Sequence, residues 1–267
     1  MTMIQEFLNY QAVNKGLSQL TLEGYQKDLK VFVKYAQTHG LRWSTIDRED
    51  LDNYVREEVE RGMKPRTIKK RVEVVRLLFT YANHKGLLTD NPARYTQVPK
   101  VGEELPKAAD DEQLITYLSR PATTRQAYII HAIVALILET GMRIGEITSM
   151  RGEDIDTKNR AILVHGKGSK ERYVYYSKLS EEYVKAMSYR KGLIFTDTQI
   201  NYRYMMYAEL PGTYPHAIRH TFAVNQLNRG MDLKTLSTLM GHKHVQTTEI
   251  YTHMLTDNVR MQYQRIN

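Results

Sequence analysis

Across 267 residues, 42% of them hydrophobic and 25% charged, the chain has the balance of a soluble globular protein with room for two domains. It has no cysteine, which excludes disulfide scaffolds, thiolate zinc sites, iron–sulfur clusters and cysteine nucleophiles. A formal charge of +8 favours a polyanionic partner, nucleic acid or an acidic membrane surface. The opening MTMIQEFLNYQAV lacks the basic segment and apolar core of a signal peptide, and no apolar run is long enough to span a bilayer, so a soluble, intracellular protein is expected.

The first hundred residues are the more basic part, with 17 Lys and Arg against 12 Asp and Glu. Their apolar period is helical. Leu22, Tyr25, Leu29, Phe32, Val33 and Ala36 fall on one face, between Thr21 as a candidate N-cap and Gly40 as a stop. A second helix is predicted from an Asp47 cap through Leu51, Tyr54, Val55 and Val59 to Gly62, and a third from Pro65 through Ile68, Val72, Val75, Leu78, Phe79 and Ala82 to Gly86. With the first ten residues this makes a bundle of about four helices over 1–88. The third carries Lys64, Arg66, Lys69, Lys70, Arg71 and Arg76, which read either as a phosphate-binding face or as a solvated helix face. Residues 89–107 contain three prolines and little periodicity, the pattern of an interdomain linker, with the boundary near residue 103.

The second domain, 108–267, opens on the capped start ADDEQLITYL, followed by a buried helix over 127–140. The run AILVHGKGSKERYVYYS alternates on both sides of Gly166-Lys167-Gly168, as a β-hairpin does. Helices are predicted over 180–190, 216–229, 233–240 and 245–255. The fold class is mainly α with one small β-sheet. Four segments carry chemistry: TGMRIGEITSM, with Arg143 and Glu146 one helical turn apart; Lys167 in the hairpin turn; HAIRH, with His216 and Arg219 on one helix face; and LMGHKHVQTTEIY, with His242 nine residues before Tyr251. Met142, Met150 and Met240 read as core filler. His39, His84, His131, His165 and His253 lack a motif context and read as structural. His216 and His220 stand at a metal-ligand spacing, but Arg219 lies between them and no carboxylate set is near, so no metal is expected.

These four motifs, in this order, resemble those of the tyrosine recombinase family, which includes phage integrases and Xer-type recombinases. The resemblance runs over almost the whole chain, and GH-x4-TT-x2-YTH, Gly241 to His253, is nearly a signature alone. It implies a helical, SAM-like core-binding domain and an α+β catalytic domain, with Arg143, Lys167, His216, Arg219, His242 and Tyr251 as the catalytic set. The segment 177–215 is short for the family. The chemistry of the residues fits the assignment. A phenol, Tyr251, forms an ester with phosphate. Arg143 and Arg219 can hold the non-bridging oxygens bidentately. Lys167, on a glycine-flanked turn, suits the general acid for the departing 5′-oxygen, and His216 and His242 can move protons on the Tyr251 side and hydrogen-bond the phosphate. Glu146 would orient a cation, and Lys170 and Arg172 are phosphate contacts or simple hairpin charge. The phosphotyrosyl bond conserves the energy of the broken phosphodiester, so neither metal nor ATP nor another cofactor is expected.

The expected activity is therefore site-specific cleavage and rejoining of double-stranded DNA through a 3′-phosphotyrosine, serving integration, excision or dimer resolution. The alternatives are a type IB topoisomerase-like enzyme that rejoins the same strand, and a catalytically idle DNA-binding protein. The resemblance implies two domains clamped on duplex DNA, a monomer free in solution and a tetramer on paired sites. In that tetramer the tail 252–267 docks on a neighbour, and the protein acts in the cytoplasm of a prokaryotic cell.

Overall fold

Short polar side chains start the helices. Thr2 accepts a hydrogen bond from the Gln5 amide and opens α1, Met3–Lys15; Ser18 accepts from the Thr21 amide and opens α2, Gln19–Thr38. Asp47 and Asp50 cap each other's backbone at the start of α3, Arg48–Glu60, and Pro65 begins α4, Pro65–His84. The α2 cap is thus Ser18 and not Thr21, because an extended Ser18 offers the same oxygen three residues earlier. The computed structural model describes residues 2–102, 107–166, 171–195, 206, 209–242, 246–249 and 251.

The chain divides into two compact units, Met1–Glu103 and Glu104–Asn267. In the first, Phe7, Leu29, Phe32, Leu51, Tyr54, Ile68, Leu78 and Phe79 are buried together, and Phe32 meets the rings of Tyr54 and Phe79 edge-on. Beneath this core runs a charged network. The carboxylate of Glu58, fully buried, accepts from Arg71 and from Arg61 (3.0 Å), while Lys70 pairs with Asp28 at 2.9 Å.

The first half of the expected linker belongs to this unit. A 3-10 turn at Pro92–Tyr95 is tied to α4 by Asn91, which donates to the Arg76 carbonyl and the Thr80 hydroxyl. Arg76 in turn donates to the carbonyls of Ala93 and Thr96, and Ala93 is fully buried. Residues 91–96 are therefore packed chain and not spacer, a consequence of long-range pairing that proline content does not report.

The second unit is built around α6, Arg125–Thr140. Its residues 130–137 are buried without interruption, as in a helix surrounded on all sides. Before it stands α5, Asp111–Leu118, and after it the short α7, Ile144–Thr148. Three antiparallel strands follow in the order β1 (Ile155–Asp156), β2 (Ala161–His165) and β3 (Glu171–Tyr175), with Ala161 opposite Tyr175 and His165 opposite Glu171. The hairpin is present where alternation predicts it; its turn, with Lys167 and Lys170, lies outside the described residues. His165 closes the base of that turn by hydrogen-bonding Asp154 and Glu171, both at 2.9 Å. Further helices are α8 (Lys178–Ser188), α9 (Pro215–Asn228), α10 (Leu233–Met240) and the turn α11 (Gln246–Glu249). The rest of the helix expected over 245–255, apart from Tyr251, lies outside the described residues, as does the tail 252–267.

One glycine decides how α6 delivers the site. Gly141 ends the helix at φ 63°, and a Cβ there would run into the buried ring of Phe222 on α9. Gly141→Ala combines a left-handed backbone with overpacking. It is expected to lower stability by about 1–3 kcal/mol, read as a reduced urea midpoint at unchanged slope.

Candidate active site

Four segments far apart in sequence converge at the ends of α6, α9 and α10 and at β3. Pro215 starts α9, and the spacing of His216, Arg219 and His220 sets all three on one face of it. Arg219 is buried, 2% exposed, although charged. Its Nη1 donates to the Gly141 carbonyl; its Nη2 donates to the Met240 carbonyl at 2.6 Å and lies 3.1 Å from His242 Nε2. Burial, then the nearby Arg143, pulls its proton affinity down, and it remains a cation at neutral pH. Of its five donors, two are left for a ligand.

Arg143 stands extended ahead of α7. It donates its backbone N–H to Glu146 Oε2 at 2.8 Å, Nη1 to Glu146 Oε1 at 3.1 Å and Nη2 to the Gly241 carbonyl at 3.1 Å. Glu146 also receives a two-pronged contact from Arg172 on β3, at 3.0 and 2.8 Å, and Arg172 Nε reaches the Leu239 carbonyl at 2.7 Å. Burial pushes the Glu146 carboxyl up, but hydrogen bonds from Arg172 and Arg143 outweigh it and leave the group below the usual carboxylate range. Glu146 thus orients two cations, as its spacing from Arg143 suggests for one of them. Arg172 is a brace between β3, Glu146 and the end of α10, with its side chain 11% exposed and all three nitrogens hydrogen-bonded.

Gly241 ends α10 at φ 62°, which turns its carbonyl to Arg143 and leads into His242; a Cβ there would sit 2.9 Å from Arg172. His242 Nδ1 lies 2.7 Å from the hydroxyl of Thr248, which is fully buried. Since Arg219 can only donate, Nε2 of His242 is the acceptor and Nδ1 carries the proton. Burial, then Arg219, holds this histidine down at about 4, so it is neutral at pH 7.

Tyr251 is 3% exposed and packs with Phe222, Ala223, Leu227, Leu236 and Met240. Its hydroxyl is 2.7 Å from Nδ1 of His220. Sequence reasoning passed over His220, considering it only as half of a metal-like pair. A closer signal was present: His220 follows Arg219 directly and shares the helix face of His216. His216 itself is exposed, its ring 5.6 Å from that of His220. Burial, then Arg219, lowers its proton affinity.

Among the described residues, three guanidiniums, of Arg143, Arg172 and Arg219, gather near one carboxylate, Glu146, which pairs with the first two. That surplus of positive charge, with donors left over on Arg143 and Arg219, suits an anion such as a phosphodiester. Of the sequence-predicted set, Arg143, Glu146, Arg219, His242 and Tyr251 lie together, His216 stands exposed on the same face of α9 against His220, and Lys167 is outside the described residues.

The basic set of the first unit separates in two. Lys64, Arg66 and Lys69 are exposed and make no ion pair among the described residues. Lys70 is paired with Asp28 across to α2, and Arg71, with its side chain 17% exposed, serves the buried Glu58. Arg71 is a folding residue, because its charge answers a buried carboxylate.

The chain is similar to known proteins over nearly its whole length. Residues 107–257 match the phage integrase family, and residues 4–86 match the phage integrase N-terminal SAM-like domain. Tyrosine recombinase XerC of Bacillus pumilus is 29% identical, over 98% of this chain and 94% of that protein. XerC of Lactobacillus delbrueckii subsp. bulgaricus is 30% identical, over 99% and 98%. In fold, the Tn1549 transposon integrase in complex with a circular intermediate DNA superposes with a TM-score of 0.74 at 20% identity, covering 99% of both chains. With two arginines, a neutral histidine and a buried tyrosine brought together from the TGMR, HAIRH and GH segments, the chain belongs to the phage integrase family and is a site-specific tyrosine recombinase that cleaves and rejoins DNA.

Proposed function

We propose that Tyr251 attacks the scissile phosphate, leaving a 3′-phosphotyrosine and a free 5′-hydroxyl that then attacks the corresponding bond on a partner duplex. Arg143 and Arg219 hold the non-bridging oxygens, Lys167 protonates the departing 5′-oxygen, and Glu146 and Arg172 keep the Arg143 fork aimed. The observation that carries this reading is the Arg219 guanidinium, which ties the TGMR, HAIRH and GH segments together through Gly141, Met240 and His242. His242 is neutral, accepts from Arg219 and donates to Thr248, so it helps aim the Arg219 fork without adding charge. The working assembly is a tetramer on paired sites formed from monomers, acting at DNA in the cytoplasm of a prokaryotic cell. No helix among the described residues is long and apolar enough to cross a membrane.

Incubating the protein with a randomised duplex pool and recovering protein-linked strands from a denaturing gel tests the nucleophile and isolates the target. Tyr251→Phe removes one oxygen and keeps the ring, so adduct should vanish while DNA binding persists; an adduct from the phenylalanine variant overturns the assignment. Junctions between two duplexes among the products distinguish strand exchange from relaxation of one duplex.

The acid is tested by sulfur. An alkoxide leaving group has a conjugate acid near the roughly 15.7 of water, whereas a thiol lies near roughly 8.5 and leaves without help. Lys167→Ala should lose on the order of 10²–10⁴-fold in cleavage of ordinary DNA and recover on a substrate with bridging 5′-sulfur. Arg143→Ala should stay slow on both. Equal defects of Lys167→Ala on the two substrates would reassign the lysine to a phosphate contact.

For the basic helix, changing Lys64, Arg66 and Lys69 together to Ala should reduce the slope of log affinity against log salt by about three units and leave melting unchanged. Arg71→Ala should instead cost about 1–3 kcal/mol of folding stability by leaving the buried Glu58 with only the exposed Arg61 as partner. A reversed pattern, with a stable Arg71 variant and an unaltered salt slope in the triple variant, would return the exposed three to a solvated-face role.

A further inference from the structure

A phenol cannot complete its bond to phosphorus while it keeps its proton. Burial holds the Tyr251 hydroxyl above the ordinary tyrosine value, with Arg219 and then Arg143 pulling the other way, so at neutral pH the nucleophile is protonated and needs an acceptor. Among the described residues three histidines are at hand, and two are badly placed. His242 has Nε2 turned to Arg219 and its Nδ1 proton turned to Thr248. His216 packs on His220, not on the tyrosine. His220 points Nδ1 at the phenolic oxygen at 2.7 Å, its ring 5.4 Å from that of Tyr251.

We propose that His220 is a catalytic residue of strand cleavage: its Nδ1 takes the Tyr251 proton as the phenolic oxygen bonds to the scissile phosphorus, and returns it on resealing. This rests on the reading of Tyr251 as nucleophile. In cleavage the Tyr251 oxygen–phosphorus bond forms and the bond from phosphorus to the 5′-oxygen breaks. The phenolic proton passes to His220, making an imidazolium, while the 5′-oxygen takes a proton from Lys167. In resealing the 5′-hydroxyl attacks and gives its proton to Lys167, and the departing Tyr251 oxygen regains its own from His220.

The surroundings fit a base that works only on DNA. Burial, then His216 and then Arg219, holds His220 down at about 4, so at pH 7 it is neutral with a lone pair on offer. A base that weak abstracts protons poorly. A phosphodiester seated on Arg143 and Arg219 brings one negative charge, offsets their repulsion and raises the proton affinity of His220 when the proton must move. Away from substrate, burial keeps the tyrosine a neutral phenol.

The test is single-turnover cleavage of a duplex recovered from the randomised pool and nicked beside the scissile phosphate, so that adduct accumulates. His220→Asn keeps a hydrogen-bonding atom near the position of Nδ1 but cannot take a proton. It should bind the duplex as wild type does, cleave on the order of 10²–10⁴-fold more slowly, and gain about tenfold in residual rate per pH unit. A fluorinated tyrosine at position 251, with a more acidic phenol, should restore far more of the rate in this variant than in wild type. Cleavage by His220→Asn within about threefold of wild type would make the contact a positioning one and overturn the proposal, as would a lack of selective rescue. The wild-type pH–rate profile needs no variant: it should level off near neutral pH, and a continued climb towards the ionisation of the phenol also overturns the proposal. Absence of adduct from wild type would instead remove the nucleophile reading beneath it.

Discussion

The catalytic unit is organised by one buried charge. Placing a guanidinium at 2% exposure is costly unless its donors are satisfied, and Arg219 is satisfied by two backbone carbonyls and an imidazole nitrogen instead of a carboxylate. Those carbonyls, of Gly141 and Met240, lie at the ends of α6 and α10, where helix termini expose oxygens without partners. The arginine thus closes two helix ends at once and keeps its charge uncancelled. A site built this way is preorganised: the donors stand in place before an anion arrives, and little needs to rearrange when charge builds on the phosphate.

Glu146 limits this surplus without removing it. One carboxylate shared between Arg143 and Arg172 fixes both forks, and the two arginines differ in what they have left to give. Arg143 is partly open to solvent with donors to spare, while Arg172 is shut in by Leu239 and Gly241. Small changes of shape matter accordingly. A lysine at 172 would keep the charge but lose the fork that spans both oxygens of Glu146 and the carbonyl of α10 at once.

What could be read from the sequence follows the range of the interactions. The helices of the first unit and the hairpin were legible because their apolar periods are local and strong, and two of the site motifs because Arg143 with Glu146, and His216 with Arg219, stand one helical turn apart. The α2 cap slipped by three residues because Ser18 and Thr21 both qualify and only the entry direction of the chain chooses between them. The segment 91–96 read as linker because its anchors, Arg76 and Thr80, lie in the preceding helix and are reached only after folding. Arg71 looked like a DNA contact for the same reason: its partner Glu58 is thirteen residues away on another helix, and nothing in a run of basic residues tells which one turns inward. His220 was hidden by a spacing with a better-known meaning, and its partner Tyr251 is thirty-one residues downstream.

The division within α4 bears on how this protein can diverge. Lys64, Arg66 and Lys69 carry no folding duty among the described residues, whereas Lys70, Arg71 and Arg76 are tied to Asp28, Glu58 and the 91–96 turn. Substitutions at the first three change the charge that α4 presents outward and leave the bundle's ion pairs intact; at the other three they must be matched by a change in the partner. The outward charge of α4 can therefore drift while the inner residues stay fixed, so attraction to a polyanion can be tuned on this face without repacking the bundle behind it.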